Sequence, residues 1–369
     1  MNDARGLLFV MAGGGTGGHV IPAIAVAREI ERLGHRALFV GTERGVESRL
    51  VPGAGFRLEL IRVGGIKGLG AARRVSSAFR LVAETFSQIR KFAEWRPAAV
   101  FSMGGYVAGP PALAALMRGV PLVVMEPNAV PGFTNRRIAR WVKRALISFE
   151  ETRKYFPEGR TEATGLPVRE EFFQLRAHAE SAAMTILITG GSQGSRTLNN
   201  AARESWKHFR AAGLPVKIIH QSGTKMYEEL ARDFAATGLP GEVKPFIDNM
   251  PAAFAEADVI ICRSGAGAVS ELAAAGKPSI LVPFPFAADN HQLRNAQAFE
   301  RAGAAILTLD SEWTGERFFG LVKDLYEDRA RLESMSEAAR RLAHPGAAKR
   351  AAQILLEEAL VPRKSIDTT

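Results

Sequence analysis

The chain has 369 residues, 47% hydrophobic and 23% charged, the balance of a globular protein long enough for two domains; disorder, collagen and coiled coil are excluded. A single cysteine, Cys262, rules out a disulfide scaffold and points to a reducing compartment. The formal net charge is +10, and residues 1–164 carry 24 basic against 13 acidic groups, so the whole excess lies in the first half and predicts an anionic partner there.

In chain order, the first apolar run predicts a strand over 7–12, then a loop Gly13-Gly14-Gly15-Thr16-Gly17-Gly18 and a helix over 21–33. Strands over 37–40, 99–103, 122–125 and 145–148 follow, with helices over 75–95 and 135–141 between them. After a loop at 164–169 the plan restarts: a strand over 185–189 enters Gly190-Gly191-Ser192-Gln193-Gly194-Ser195 and a helix over 199–211. Further strands are predicted over 216–220, 259–262, 279–282 and 305–309, and helices over 225–236, 269–275, 292–302, 317–342 and about 347–360. Most of the strand runs are continuously apolar, as in parallel sheets covered on both faces, and their alternation with helices implies right-handed crossovers. The expected domains are 1–164 and 165–345, with 346–369 as a terminal helix packing back toward the first. No apolar run reaches the ~18 residues of a membrane span, and no secretory leader is expected, so a cytoplasmic protein is the prediction.

Glycine lets backbone N–H groups approach a ligand, and the helix start behind it carries partial positive charge, so the loop ending at His19 suits a phosphate or sugar. It is neither a dinucleotide fingerprint, since the ribose acid is missing, nor a P-loop. Gly104-Gly105-Tyr106-Val107 forms a second loop after a strand, and Pro110 or Pro111 can open the helix behind it. In the second half, the small residues of Arg263-Ser264-Gly265-Ala266-Gly267 leave room for a diphosphate at a helix start. Glu271 follows in that helix, where a carboxylate can accept from the vicinal diol of a ribose. Asp289-Asn290-His291-Gln292 opens another helix; its polar groups suit sugar hydroxyls, and Asp289 is alternatively an N-cap.

The blocks Gly14-Gly15-Thr16-Gly17-Gly18-His19, Gly104-Gly105-Tyr106-Val107, Glu126-Pro127-Asn128-Ala129-Val130-Pro131-Gly132, Gly190-Gly191-Ser192-Gln193-Gly194 and Arg263-Ser264-Gly265-Ala266, in this order, resemble the MurG transferases of glycosyltransferase family 28. The resemblance covers nearly the whole chain. It implies an α/β protein of the GT-B fold, two Rossmann-like doubly wound parallel-sheet domains facing each other across a cleft. It also implies an inverting transfer of N-acetylglucosamine from UDP-N-acetylglucosamine (UDP-GlcNAc) to lipid I, the undecaprenyl-linked muramyl pentapeptide, giving lipid II of peptidoglycan synthesis.

Matched residue by residue, the resemblance puts the donor sugar nucleotide at Thr16, Gly17, Gly18, Asn128, Arg169, Ser192, Ile247, Gly265, Ala266, Glu271 and Gln292. Arg169 and Ile247 match uracil-binding positions, Asn128 and Gln292 the sugar, and Glu271 the ribose. Two blocks depart from the family pattern. Met125-Glu126-Pro127-Asn128 stands where the family has His-Glu-Gln-Asn, and Gly165-Leu166-Pro167-Val168-Arg169 where it has Gly-Asn-Pro-Val-Arg. Contacts from 125 and 127 are thereby removed from the expectation.

An inverting displacement needs a base for the acceptor hydroxyl and a stabiliser for the departing UDP. His19 is the candidate base, because an unperturbed imidazole is largely neutral near pH 7; Glu126 competes for the role. No cofactor and no metal are expected, since the chain lacks Asp-x-Asp and close histidine spacing, and backbone dipoles after Ser264 would take the diphosphate charge. A lipid-linked acceptor requires work at a bilayer. Gly104, Gly105 and Tyr106 are assigned to the acceptor side. Ile66, Lys67, Leu69, Arg73, Arg74, Phe79 and Arg80, within a stretch where Arg57, Arg62, Arg90, Lys91, Ile61 and Val63 also interleave, are assigned to an anionic membrane surface. The implied location is the cytoplasmic face of the bacterial inner membrane, as a peripheral protein, with cell-wall and division proteins as further partners. A different GT-B transferase or a UDP-GlcNAc 2-epimerase is the nearest alternative. Nucleic acid is not an expected partner, because no recognition motif accompanies the basic charge.

Overall fold

The computed structural model describes residues 6–64, 71–175 and 182–361, and the chain divides into two units, residues 1–167 with 346–369, and residues 168–345. Among the described residues, the first unit holds a parallel sheet of β1 (Leu8–Ala12), β2 (Arg36–Gly41), β3 (Arg57–Leu60), β4 (Ala99–Ser102), β5 (Leu122–Glu126), β6 (Arg144–Ile147) and β7 (Thr161–Ala163), in the order β3-β2-β1-β4-β5-β6-β7. Its helices are α1 (Gly17–Arg32), α2 (Glu47–Gly53), α3 (Ala71–Trp95), α4 (Gly109–Met117), α5 (Phe133–Ile138) and, from the end of the chain, α13 (Ala347–Leu360). The second unit repeats the scheme with β8 (Met184–Thr189), β9 (Val216–Gln221), β10 (Gly241–Lys244), β11 (Val259–Cys262), β12 (Ser279–Leu281) and β13 (Ala305–Leu307), in the order β10-β9-β8-β11-β12-β13. Its helices are α6 (Arg196–Ala212), α7 (Tyr227–Ala235), α8 (Met250–Glu256), α9 (Ala266–Ala275), α10 (His291–Arg301), α11 (Gly315–Glu327) and α12 (Arg329–Arg341).

Both sheets are doubly wound. Strand order reverses between β1 and β4 in one and between β8 and β11 in the other, and ligands of open α/β sheets bind beyond the carboxyl ends of the strands at that reversal. The central strands are fully buried: Val10, Ala12, Val100, Leu122 and Val124 lie in the first core, and Ile186, Ile188, Ile218 and Ile261 in the second. The expected strands of both units are present.

Three strands carry no apolar signal: β3, β7 and β10 all lie at sheet edges, with mostly polar or part-exposed residues. The single helix predicted over 317–342 is two, because Asp328 leaves helical geometry (φ −118°, ψ 79°) and caps α12 by accepting from the Arg331 N–H at 3.0 Å. α1 starts at Gly17 rather than 21, and Pro22 lies inside it, in the second turn, with no N–H to donate to the Gly18 carbonyl. Pro110 and Pro111 do open α4. Asp289 is not the N-cap of α10: that position is Asn290, which like Asp289 is left-handed (φ 54° and 52°) and makes no side-chain capping bond.

Candidate active site

In the first unit, the loops after β1, β4 and β5 come from neighbouring strands and gather most of the predicted residues there. The loop after β1 must be glycine-rich for steric reasons. A Cβ on Gly14 would stand 2.4 Å from a carboxylate oxygen of Glu47, and Gly15 has φ +84°. Thr16 and Gly18 are exposed, and Gly17 and His19 half-buried, at the start of α1. The Nδ1 of His19 lies 3.2 Å from the Gly14 carbonyl oxygen and 3.3 Å from Thr16 Oγ1. Gly104 and Gly105, both left-handed, turn the chain after β4 so that Gly105 faces the His19 ring and the Tyr106 ring faces Gly15.

Glu126 closes β5 and is buried. Its two oxygens accept from the Asn128 N–H and Nδ2, the Gly132 N–H and Asn135 Nδ2, at 3.0 to 3.1 Å. Burial raises its pKa, against the pull of those donors. The carboxylate thus organises the 127–132 loop and orients the Asn128 side chain.

The second unit assembles the remaining predicted residues around the ends of its own strands. Ser192 is exposed in the loop after β8. Gly265 is the N-cap of α9 and Ala266 its first residue; a Cβ on Gly265 or Gly267 would meet nothing within 4 Å, so these glycines leave open space rather than serving internal packing. Glu271 lies in the second turn of α9. Burial pushes its pKa up to about 7, opposed by the positive charge of Arg169. Arg169 itself is exposed, its guanidinium 5.0 Å from the Phe172 ring. The Ile247 N–H donates to Gln221 Oε1 at 2.8 Å, and the side chain is buried after β10. Gln292 Oε1 accepts from the Phe284 N–H at 2.9 Å, while its carbonyl accepts from Ser264 Oγ at 2.8 Å, which ties α10 to the start of α9.

Two organising roles escaped the sequence reading, one of them that of Arg263, which heads a motif block without an assigned role there. Arg263 donates through Nη1 to the Val282 carbonyl at 3.0 Å and the Asp310 carboxylate at 2.5 Å, and through Nη2 to Ser195 Oγ at 2.7 Å, joining the loops after β8, β11, β12 and β13. Glu47, on α2, holds the first glycine loop from behind. Neither role stands out in sequence, because a buried hub is spelled like any solvated Arg or Glu.

Of the membrane candidates, Phe79 is 75% exposed on α3 and Arg80 is exposed beside it. Phe79, Val82 and Phe86 are all exposed and share one helical face by their spacing. Arg73 and Arg74 fall on α3 where the description does not extend to side chains, and Ile66, Lys67 and Leu69 lie outside the described residues. Of their neighbours in the stretch, Ile61 is buried, Val63 packs part-buried on the same core, and Lys91 pairs with Glu59 at 2.5 Å. Among the described residues no helix is long and apolar enough to cross a membrane.

The N-terminal domain model of glycosyltransferase family 28 matches residues 9–147, and its C-terminal domain model residues 185–351. A protein of Solibacter usitatus is 61% identical, over 95% of this chain and 96% of its own length; one of Myxococcus xanthus is 40% identical, over 94% and 92%. Both are named UDP-N-acetylglucosamine–N-acetylmuramyl-(pentapeptide) pyrophosphoryl-undecaprenol N-acetylglucosamine transferase. Among solved structures, MurG of Acinetobacter baumannii is 34% identical with a TM-score of 0.81, covering 95% of this chain and 99% of its own. A UDP-GlcNAc 2-epimerase of Neisseria meningitidis, 13% identical with a TM-score of 0.66 over 96% and 100%, shares the fold alone. The paired parallel sheets, the glycine loops and the near full-length identity converge: this chain belongs to glycosyltransferase family 28, the family of the MurG transferases.

Proposed function

We propose that the chain transfers N-acetylglucosamine from UDP-GlcNAc to the 4-hydroxyl of the muramyl sugar of lipid I, with inversion at the anomeric carbon. The observation that carries this reading is the 61% identity, across nearly the full length of both chains, to a transferase so named. In this reading His19 takes the proton of the attacking hydroxyl, and Glu126, whose oxygens are committed to four N–H donors, orders the loop bearing Asn128 rather than acting as the base. Thr16, Gly17, Gly18 and Asn128 approach the donor from the first unit. Arg169 and Ile247 take the uracil, Glu271 the ribose, and Gln292 the sugar. The N–H groups at the start of α9, with Ser192 nearby, receive the charge that grows on the departing diphosphate, in place of a cation.

Gly104, Gly105 and Tyr106 face the acceptor. The basic stretch that carries Arg73, Arg74, Phe79 and Arg80, with Phe79 and Arg80 exposed on α3, meets the anionic surface of the cytoplasmic leaflet, so the protein works as a peripheral enzyme there, within reach of cell-wall and division proteins. The test is direct: incubation with UDP-GlcNAc and a short-chain lipid I analogue should release UDP and yield the disaccharide by mass spectrometry. UDP release without acceptor, accompanied by an epimerised free sugar, would assign the chain to the epimerases instead.

A further inference from the structure

Glu47 is fully buried at the start of α2 and faces three glycines, Gly14 from the loop after β1, and Gly41 and Gly45 from the end of β2 and its connection to α2. A Cβ on Gly14, Gly41 or Gly45 would lie 2.4, 2.5 or 2.1 Å from atoms of its side chain. Its Oε1 accepts from the Thr42 N–H at 2.9 Å and from Thr42 Oγ1 at 2.7 Å, and its Oε2 accepts from the Gly15 N–H at 2.8 Å. Burial alone would raise the pKa of this group, but the hydrogen bonds outweigh it and hold the carboxyl below its ordinary range.

The Gly15 N–H and the Gly14 carbonyl belong to one planar peptide and point in opposite directions. Glu47 grips one end of that peptide; the other end, the Gly14 oxygen, lies 3.2 Å from His19 Nδ1. A carbonyl oxygen only accepts, so this contact needs the hydrogen on Nδ1, which in a neutral ring makes Nε2 the accepting nitrogen. Thr16 Oγ1, 3.3 Å from Nδ1, can share the same hydrogen.

We infer that Glu47 is a positioning residue for the transfer reaction: acting through the Gly14–Gly15 peptide, it keeps His19 in the Nδ1–H tautomer, with Nε2 presented as the proton acceptor. The inference rests on the reading of His19 as the base. As the acceptor oxygen bonds to the anomeric carbon and the bond to UDP breaks, the hydroxyl proton passes to Nε2. The ring becomes an imidazolium that still donates from Nδ1 to Gly14, and it returns its proton to water after the products leave. Glu47 exchanges no proton; its charge polarises the peptide so that the Gly14 oxygen is a better acceptor for the charged ring.

Long-range proton–nitrogen NMR on protein labelled at histidine, with the His19 signal assigned by a His19→Asn variant, reads the tautomer directly when the ring is neutral. The wild type should show Nδ1–H. Glu47→Gln offers one acceptor oxygen to three converging donors, so it should lose the Gly15 bond, move His19 toward the Nε2–H form and lower kcat by about 10- to 100-fold, with the UDP-GlcNAc KM unchanged. An Nε2–H ring in the wild type overturns the inference without any variant, and so decides the matter even if Glu47→Gln does not fold. A folded Glu47→Gln protein with an unchanged tautomer, or with a shifted tautomer and full kcat, overturns it equally. Retention of kcat by His19→Ala would instead remove the base assignment while leaving the tautomer measurement intact.

Discussion

His19 and Glu271 bring two different kinds of titrating group to the proposed reaction, and each yields its own test. His19→Ala should lower kcat by about 10²- to 10⁴-fold, as expected for loss of a general base, with the UDP-GlcNAc KM nearly intact; steady-state kinetics showing a change in KM alone would make His19 a binding residue. Glu271, raised to about 7 by burial against the opposing charge of Arg169, is protonated in much of the protein near neutral pH. A carboxylate accepts from a ribose diol better than a carboxylic acid, so nucleotide affinity should rise as pH increases through about 7. Calorimetry should find that this dependence vanishes in Glu271→Gln. The stability effect has the opposite sign. Between the ordinary value of 4.5 and about 7 the folded protein binds more protons than the unfolded one, so the contribution of this group is lost as pH rises through that window. At this scale the glycine loops, with His19 after the first, were legible in sequence as strand-to-helix turns, because clustered glycines end an apolar run. The roles of Glu47 and Arg263 were not. The mark left by Glu47 is indirect, in the absence of side chains at Gly14, Gly41 and Gly45, and only the fold brings Gly14, more than thirty residues earlier, onto its carboxylate.

Strands and helices were legible in proportion to their burial. β1, β4, β5, β8 and β11 are covered on both faces and spell themselves as mostly apolar runs, whereas β3, β7 and β10 lie at sheet edges with part-exposed residues and read as loop. The helix α13 shows how burial and charge share the work within one element. Ile354 and Leu355 are fully buried as the helix packs on α1 and β4, while Arg350 makes a two-pronged pair with Glu162 and Arg144 pairs with Glu358. These ion pairs are part-exposed and are worth no more than about 1 kcal/mol each, whereas truncating a buried leucine costs about 2–5 kcal/mol. Chemical denaturation should therefore rank Leu355→Ala well below Arg350→Ala in stability; equal losses would mean that the charged face, not the apolar one, holds the helix.

For the molecule as a whole, the decisive quantity is the uneven charge. The basic excess of the first half was visible by counting, but which apolar residues accompany it was not, since Ile61 and Val63 turn inward and Phe79, Val82 and Phe86 outward. A basic protein with an exposed aromatic face gains roughly 1 kcal/mol per cationic residue near an anionic leaflet and further affinity from the inserted rings. The protein should sediment with anionic vesicles at low salt and dissociate as salt rises. A Phe79→Ser/Phe86→Ser variant should bind more weakly at every salt concentration while keeping turnover on a short-chain acceptor. Binding that ignores both salt and these substitutions would place the membrane contact elsewhere.

The discontinuity of the first unit sets the order in which the protein can be made. Its β-strands leave the ribosome early, but the surface of α1 and β4 that receives Ile354 and Leu355 has no cover until residues 347–360 have been synthesised, after the entire second unit. The nascent first half must therefore wait with apolar surface exposed through the translation of residues 168–345, an interval in which chaperone protection would matter more for this half than for the one that follows it.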